Sequence, residues 1–403
     1  MDAARQHVRY VWIFVVVAAA VLLPVLTLNY ALGVRSLGGG DAVIHASEWQ
    51  QATHGVTYAP PLSSNRPFKE ARLFDRLSEI NTVIFGSSTT MGITQNMFPD
   101  GMKVYNFAQT GNGLPTVIGE AEFLGRNHGA SLRWFVIPLD WSLGFIYQPG
   151  VPVSVELAPP AAARSGSAAE DVVPVTQRLQ DALSLPRIKN LLGILKGMLR
   201  SSSPVAAFQQ MFTQEASDEY RCADGTPAKD FDTIFRGTCT GFRYDGSATF
   251  ANLEPVPARR ATSLIASALV QSSKYAVDLI RAGGEPNPLL LEQLAALNRG
   301  MRRTGGGVIL FLPPLLPGME RAFLDTPHTG GALRRTKQIL DSWARDHELI
   351  IIDAGQSERY GCAVEEFVDE HHALPQCYAR VFSRFWSDRR TPAKIHAGLY
   401  TAG

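Results

Sequence analysis

Five short, mainly apolar runs do most to limit the folds open to this chain: Thr82–Phe85, Lys103–Phe107, Trp134–Ile137, Val308–Leu312 and Leu349–Ile352. Each has the length of a strand and none alternates apolar with polar, so each calls for cover on both faces of a sheet. Helical patterns over 114–127, 288–304 and 331–347 lie among them. Strands and helices taken in turn predict a doubly wound α/β fold in three layers around a parallel sheet. Sheets of that kind bind ligands at the carboxyl ends of their strands.

A second constraint precedes the first strand. Val11–Leu32 contains no charged side chain, and 22 residues as a helix span roughly 33 Å, enough for a hydrocarbon core of about 30 Å. Arg5 and Arg9 precede the run, which places the tip in the cytoplasm and the rest of the chain outside it. Pro24 is tolerated in a membrane span. A cleaved signal peptide is the competing reading, but Asn29-Tyr30-Ala31-Leu32-Gly33 is a poor cleavage site. The expectation is a single-pass inner-membrane anchor over residues 11–32 with a periplasmic domain.

Cysteine usage fits that compartment. Cys222 and Cys239 are 17 apart and Cys362 and Cys377 are 15 apart, so two local disulfides are the simplest of the three pairings. No Cys-x-x-Cys and no zinc-spaced His/Cys cluster is present, so no metal site or redox motif is expected. With 38 basic against 37 acidic side chains among 403 residues, the chain offers no field for nucleic acid.

The remaining segments divide by composition. Residues 1–35 form the tip and anchor, and the Gly-, Ser- and Pro-rich stretch 36–70 reads as a linker. The core then runs over 71–150 and resumes over 286–390, with a tail at 391–403. Between the core halves, 151–285 is an insertion, either a cap over the site or a separate interaction surface. It holds a Pro/Ala/Ser loop (Pro159–Ala169), helical segments near 176–199 and 261–282, and a disulfide-closed lobe between Cys222 and Cys239. Trp134 and Trp141 flank the third strand, where core or rim packing is expected of both and stacking of Trp141 on a sugar ring is the alternative, and Arg334-Arg335 and Arg389-Arg390 read as solvated pairs.

Two segments carry residues suited to nucleophilic chemistry. Val83-Ile84-Phe85 runs into Gly86-Ser87-Ser88-Thr89-Thr90, where a serine at the start of a following helix would face N–H groups able to steady an oxyanion. Helix capping by Ser87, Ser88 or Thr89 explains the same residues. A hydroxyl nucleophile needs a base and the base an orienting acid. Asp369-Glu370-His371-His372 supplies both at a spacing of three, with His371 as the rival base and a solvated surface turn as the plain alternative.

Together these segments resemble the SGNH (GDSL-like) hydrolase superfamily. The likeness is closest to its membrane-anchored extracytoplasmic branch, which includes the O-acetylation proteins of alginate and related exopolysaccharides and the D-alanyl transfer protein of teichoic acids. The resemblance implies Ser88 as nucleophile, with Asp369 and His372 completing a triad. It implies Gly111 as an oxyanion donor through its N–H. The family's third block carries an oxyanion asparagine, and this chain has Asp140 there. An ionised Asp140 would repel an oxyanion, leaving Asn112, or the N–H groups of Ser88 and Gly111, to take its place.

The function so implied is acyl transfer, with acetyl as the group and a polysaccharide or envelope glycan as acceptor. No cofactor is expected. The partners would be a polytopic membrane acyltransferase on the donor side and the glycan's synthesis and export proteins. An esterase or deacetylase with the same triad, and a degenerate SGNH subunit for glycan binding or assembly, are the alternatives.

Overall fold

A computed structural model describes residues 2–32, 40–59, 65–140, 155, 157, 203–205, 219–231, 237–251, 253–270 and 283–387. They fall into two compact bodies, one of residues 69–159 and 240–403 and the other of residues 1–68 and 160–239. Trp141, Pro159–Ala169, the helical segment near 176–199, Arg389-Arg390 and the tail at 391–403 lie outside the described residues.

The smaller body begins with α1 (Asp2–Leu32), followed by α2 (Gly40–Thr53) and β1 (Val56–Tyr58). An 18-residue stretch of α1, His7–Pro24, has mean hydropathy 1.9 and none of it is buried against protein. Trp12 and Phe14 stand 64% and 74% exposed, apolar surface that water does not reward and lipid does. One helix is therefore long and apolar enough to serve as a membrane anchor or a signal sequence. Further on, β1 pairs in parallel with β6 (Pro227–Asp230), which pairs antiparallel with β5 (Tyr220–Arg221). Trp49 packs edge-on to Phe231 at 6.3 Å. A Cβ at Gly55 would sit 2.5 Å from both Trp49 and the Pro227 carbonyl, so this close approach needs glycine. Cys222 and Cys239 are disulfide-bonded, their Cα atoms 5.7 Å apart.

These elements correct the segment expected as a linker. Residues 36–70 carry a helix, a strand paired to the chain 172 residues later, and the start of α3 (Arg66–Arg76). The expected insertion is likewise divided, with 219–231 in the smaller sheet and the chain from Thr240 onward in the larger body.

The larger body is built on β2 (Thr82–Ile84), β3 (Val104–Asn106), β4 (Trp134–Pro138), β7 (Gly307–Leu312) and β8 (Ile350–Asp353). All pairings are parallel and the order is β3-β2-β4-β7-β8. Every residue of β2, β3, β4 and β7 is buried, as the continuous apolar runs demand. Phe85 sits at the centre, edge-on to Phe107 at 6.1 Å and Phe135 at 5.2 Å. Trp134 is a core residue, 5% exposed.

Helices follow from local signals. In α4 (Leu114–His128), Pro115 occupies the first turn and the buried Leu114, Val117, Ile118, Ala121 and Leu124 recur at helical spacing. α5 (Ala261–Val270) is shorter than the 261–282 expected, the remainder lying outside the described residues. In α6 (Pro288–Arg302), the Asn287 side chain accepts the Leu289 N–H at 3.0 Å as an N-cap. Buried Asn298 accepts the Val308 N–H and donates to the His347 carbonyl, fastening α6 to β7. α7 (Met319–Asp325) and α8 (Pro327–Asp346) lead to β8, and α9 (Pro375–Ser387) closes the described chain. Phe382 of α9 packs 4.9 Å from Phe98 and 5.4 Å from Phe311.

One local expectation fails. No helix begins at Gly-Ser-Ser; residues 87–92 make consecutive turns, followed by a short 3-10 segment at Gln95–Met97. The turn is enforced from two sides. Gly86 has φ +126°, and a Cβ there would meet Pro138 at 2.4 Å and the Thr90 hydroxyl at 2.6 Å. The Thr90 hydroxyl is spent on the Phe85 and Ser87 carbonyls at 3.1 and 3.2 Å. With no helix to start, capping does not explain the serines.

Candidate active site

The order of the parallel sheet reverses between β2 and β4, and such switch points open a crevice at the carboxyl ends of the strands. The loop after β2 brings Ser87-Ser88-Thr89 there and the loop after β4 brings Asp140. The loop after β3 is drawn alongside. Gln109 N–H donates to the Gly86 carbonyl at 2.9 Å and Phe107 N–H to the Ile84 carbonyl at 2.7 Å.

The fourth contribution comes from the loop before α9. Val368 N–H donates to the His372 carbonyl at 2.9 Å and Leu374 N–H to the Glu366 carbonyl at 2.7 Å, folding 366–374 into a tight turn. Leu316 N–H, in the loop after β7, donates to the Glu370 carbonyl at 2.9 Å. Disulfide Cys362–Cys377, with Cα atoms 5.0 Å apart, closes the base of the same loop.

These loops converge on a hydrogen-bonded relay. Ser88 Oγ lies 2.8 Å from His372 Nε2, and His372 Nδ1 lies 2.7 Å from Asp369 Oδ2. The other oxygen, Asp369 Oδ1, accepts the backbone N–H groups of His371 and His372 at 2.9 and 2.8 Å. One aspartate thus orients the imidazole and shapes the loop that carries it. Of the two neighbouring histidines, it is His372 that reaches the serine.

The electrostatics suit a base held by an ionised acid. Burial pushes the Asp369 carboxyl up, but the His372 hydrogen bond, the charges of His371 and His372 and the His371 N–H outweigh it, holding the group well below the usual carboxylate range. His371 stacks on His372 with ring centres 4.1 Å apart. Its Nδ1 is 3.5 Å from Asp369 Oδ1 and 3.7 Å from Glu370 Oε1. Burial pulls His371 down, and the Glu370 contact with the Asp369, Glu370 and Asp140 charges more than offsets it, so it titrates above the ordinary histidine value. Glu370 is lowered chiefly by His371.

No known family, curated protein or solved structure matches this chain.

Asp140 is engaged with the turn that bears Ser88. It is 6% exposed, and Oδ2 accepts the Thr89 hydroxyl at 2.9 Å and lies 3.5 Å from the Ser87 hydroxyl. Its carboxylate holds the turn on either side of Ser88. Asn112 is also engaged: its Nδ2 donates to Glu120 Oε2 at 3.0 Å, beside Gln109 Nε2 on Glu120 Oε1 at 3.1 Å. Gly111 is exposed, with φ +70° and open space where a Cβ would lie. Neither its N–H nor that of Ser88 donates to a described residue. Two backbone donors at the ends of adjacent strands are thus available to a developing oxyanion.

Two supporting residues had no distinct signal in the sequence. Asn106, fully buried, donates to the Thr90 and Ile93 carbonyls at 2.8 and 2.9 Å and accepts the Ala108 N–H at 3.0 Å. It locks the loops after β2 and β3 together. Tyr378, in the first turn of α9, donates its hydroxyl to the Thr89 carbonyl, and its phenol is raised chiefly by burial. Thr89 links that contact to Asp140. Asp369, His371 and His372 also have ligand atoms within 4.8 Å of one another, but both ring nitrogens of His372 are already directed at Asp369 and Ser88. Cys362, Glu366 and Cys377 form a similar group, whose two sulfurs are bonded to each other.

Proposed function

We propose that the chain is a membrane-anchored serine O-acyltransferase of the SGNH type, working on the extracytoplasmic face of the inner membrane. The observation that carries the proposal is the unbroken relay from Ser88 through His372 to Asp369 at the carboxyl end of β2. The order of the parallel sheet and the loops that bear the triad are compatible with the three-layer fold of that superfamily.

In the first half-reaction Ser88 Oγ attacks an acyl carbonyl and passes its proton to His372 Nε2, while Asp369 steadies the imidazolium. The carbonyl oxygen becomes an oxyanion facing the N–H groups of Ser88 and Gly111. Collapse breaks the bond to the leaving group, which takes the proton from His372. In the second, a sugar hydroxyl attacks the acyl-serine and gives its proton to His372. Collapse breaks the bond between the acyl carbon and Ser88 Oγ, which takes the proton back from His372, and the sugar leaves as the ester. An acetyl group passed to a polysaccharide or envelope glycan is the version that suits an extracytoplasmic site with a near-neutral chain. A polytopic membrane acyltransferase would supply the donor, and glycan synthesis and export proteins the acceptor.

Ser88 is half-exposed, so water also reaches the acyl-serine, and an esterase is the second reading. The deciding experiment labels the protein with a fluorophosphonate and then offers a small acetyl ester with and without oligosaccharide. Labelling of the wild type but not of Ser88→Ala, with acetyl appearing on sugar, is the expected result. Acetate release alone would assign the hydrolase. Absence of Ser88-dependent labelling would assign a non-catalytic subunit.

A further inference from the structure

Among the described residues β8 is an edge strand, paired through β7 on one side only. A cavity of about 790 Å³ runs beside it and touches all five residues from Leu349 to Asp353. Successive side chains of a strand point to opposite faces. A cavity in contact with five consecutive residues therefore lies along the strand's edge and not over one face. Arg334 and Lys337 of α8 line it together with Arg359 and Tyr360, which follow β8, and Arg384 of α9. The result is a slot along the sheet edge walled by separate elements.

The backbone in this slot has hydrogen-bonding capacity to spare. Ala354 N–H donates to the Leu312 carbonyl at 3.0 Å, so Ile350 and Ile352, in phase with Ala354, face β7. Ile351 and Asp353 face outward. The Asp353 carbonyl accepts the Tyr360 hydroxyl at 2.7 Å, which leaves the Ile351 N–H and carbonyl and the Asp353 N–H along the open edge. No described element pairs with them.

The charge in the slot has a sign. Lys337 is taken up by Glu320 at 2.6 Å and Asp353 at 2.8 Å. Arg334, Arg359 and Arg384, exposed and contributed by three elements, make no ion pair among the described residues. Two of them point guanidinium nitrogens at backbone carbonyls, Arg334 at Leu324 and Arg384 at Arg359. Cations placed on an edge strand itself commonly guard it against pairing. Here the cations stand on neighbouring elements and ring the slot, leaving the strand's own outward groups uncovered.

We infer that this slot receives an extended, acidic peptide segment of a partner protein, added as a sixth strand beside β8. Main-chain pairing would supply the alignment and carboxylates reaching the three arginines the selectivity, as in other strand-addition complexes. About five residues of extended peptide match the length of the slot at roughly 3.3 Å per residue. The inference is independent of the Ser88 chemistry.

The test uses the full chain in detergent micelles and a fluorescent peptide of alternating glutamate and valine. Its comparison probes are the same peptide N-methylated on the pairing edge, a lysine–valine peptide and an oligoglucuronate. Binding of the acidic peptide should weaken at least about tenfold on N-methylation, and by a similar factor in Arg359→Glu/Arg384→Glu. Arg334→Glu, on exposed α8 surface, provides a second variant in case the first pair disturbs folding. A melting temperature and circular-dichroism spectrum like those of wild type would show that the variants keep the core. No binding of the acidic peptide at millimolar concentration would overturn the inference, as would equal binding of the N-methylated or lysine peptide. Oligoglucuronate that binds more tightly and displaces the peptide would overturn it too, assigning the slot to an anionic glycan.

Discussion

Asp369 spends its two oxygens on different tasks, Oδ2 on the imidazole and Oδ1 on two backbone N–H groups. Asp369→Asn separates those tasks. The amide oxygen can still take the N–H groups, so the loop keeps its shape, while the amide nitrogen presents a donor to Nδ1 and favours the wrong tautomer. Fluorophosphonate labelling should slow by about 10⁴-fold with little change in melting temperature. Labelling within tenfold of wild type would remove Asp369 from the relay. The Asp369–His372 pair was legible in the sequence because a spacing of three on one loop is a local property, whereas its link to Ser88, 284 residues away, was implied by the family resemblance alone. The turn around Ser88 was not legible. It depends on Asp140, Asn106 and Tyr378, which lie 52, 18 and 290 residues from Ser88 in the chain, and no short-range pattern announces their convergence. Asp140 shows the limit most clearly: its position suggested an oxyanion-hole residue, and its carboxylate is instead bonded to Thr89.

At the scale of elements, β2, β3, β4 and β7 were legible because strands buried on both faces are mainly apolar, and β8, only partly buried, by its run of isoleucines. The three-residue β1 and the two-residue β5 have no such stretch, and the Gly- and Pro-rich surroundings of β1 read as linker. The turn bearing the hydrogen-bonded pair Asp369 and His372 is itself an element, closed by Cys362–Cys377 around a 15-residue separation. Removing that closure by Cys362→Ala/Cys377→Ala should cost about 3 kcal/mol of stability. It should also slow labelling of Ser88, because Cys377 adjoins Tyr378. A double variant that melts and labels like wild type would show that the loop is held by its backbone bonds alone. Lys69 of α3 does comparable work across the sheet edge. It is buried, donates to the Asn106 carbonyl at 2.7 Å and to the Gly246 carbonyl, and faces the Phe242 ring at 4.4 Å. Burial lowers its amine from 10.5 to about 7, against the pull of Asp245. The folded chain releases this proton near pH 7 and the unfolded chain near 10.5, so between those values the unfolded state binds more protons and stability rises with pH. Below pH 7 that gain is gone. Melting followed from pH 6 to 10 should therefore climb in wild type relative to Lys69→Met. A difference curve that is flat or falls would contradict a neutral buried amine.

For the whole molecule the decisive fact is the pairing of an apolar, protein-free helix with two disulfides. Disulfides persist outside the cytosol, so the cystine-bearing segments and the positively flanked tip should lie on opposite sides of a membrane. α1 alone does not distinguish an anchor from a signal sequence, since both are apolar and N-terminal. The difference is whether residues 1–32 stay on the mature chain. A tag on the N-terminus should survive in the membrane fraction, resist carbonate extraction and be shielded from protease added to spheroplasts. An epitope in the tail at 391–403 should be digested by the same treatment. Loss of the N-terminal tag with release of the remainder would identify a cleaved signal. Protection of the C-terminal epitope would place the domain in the cytosol, where neither an extracytoplasmic acyl donor nor stable disulfides belong. Retention of the anchor has a consequence for the chemistry as well. A site tethered to the bilayer surface meets membrane-bound donors at an effective concentration set by the tether rather than by solution, so detaching residues 1–32 should depress transfer from a membrane-borne donor while sparing hydrolysis of a small soluble ester.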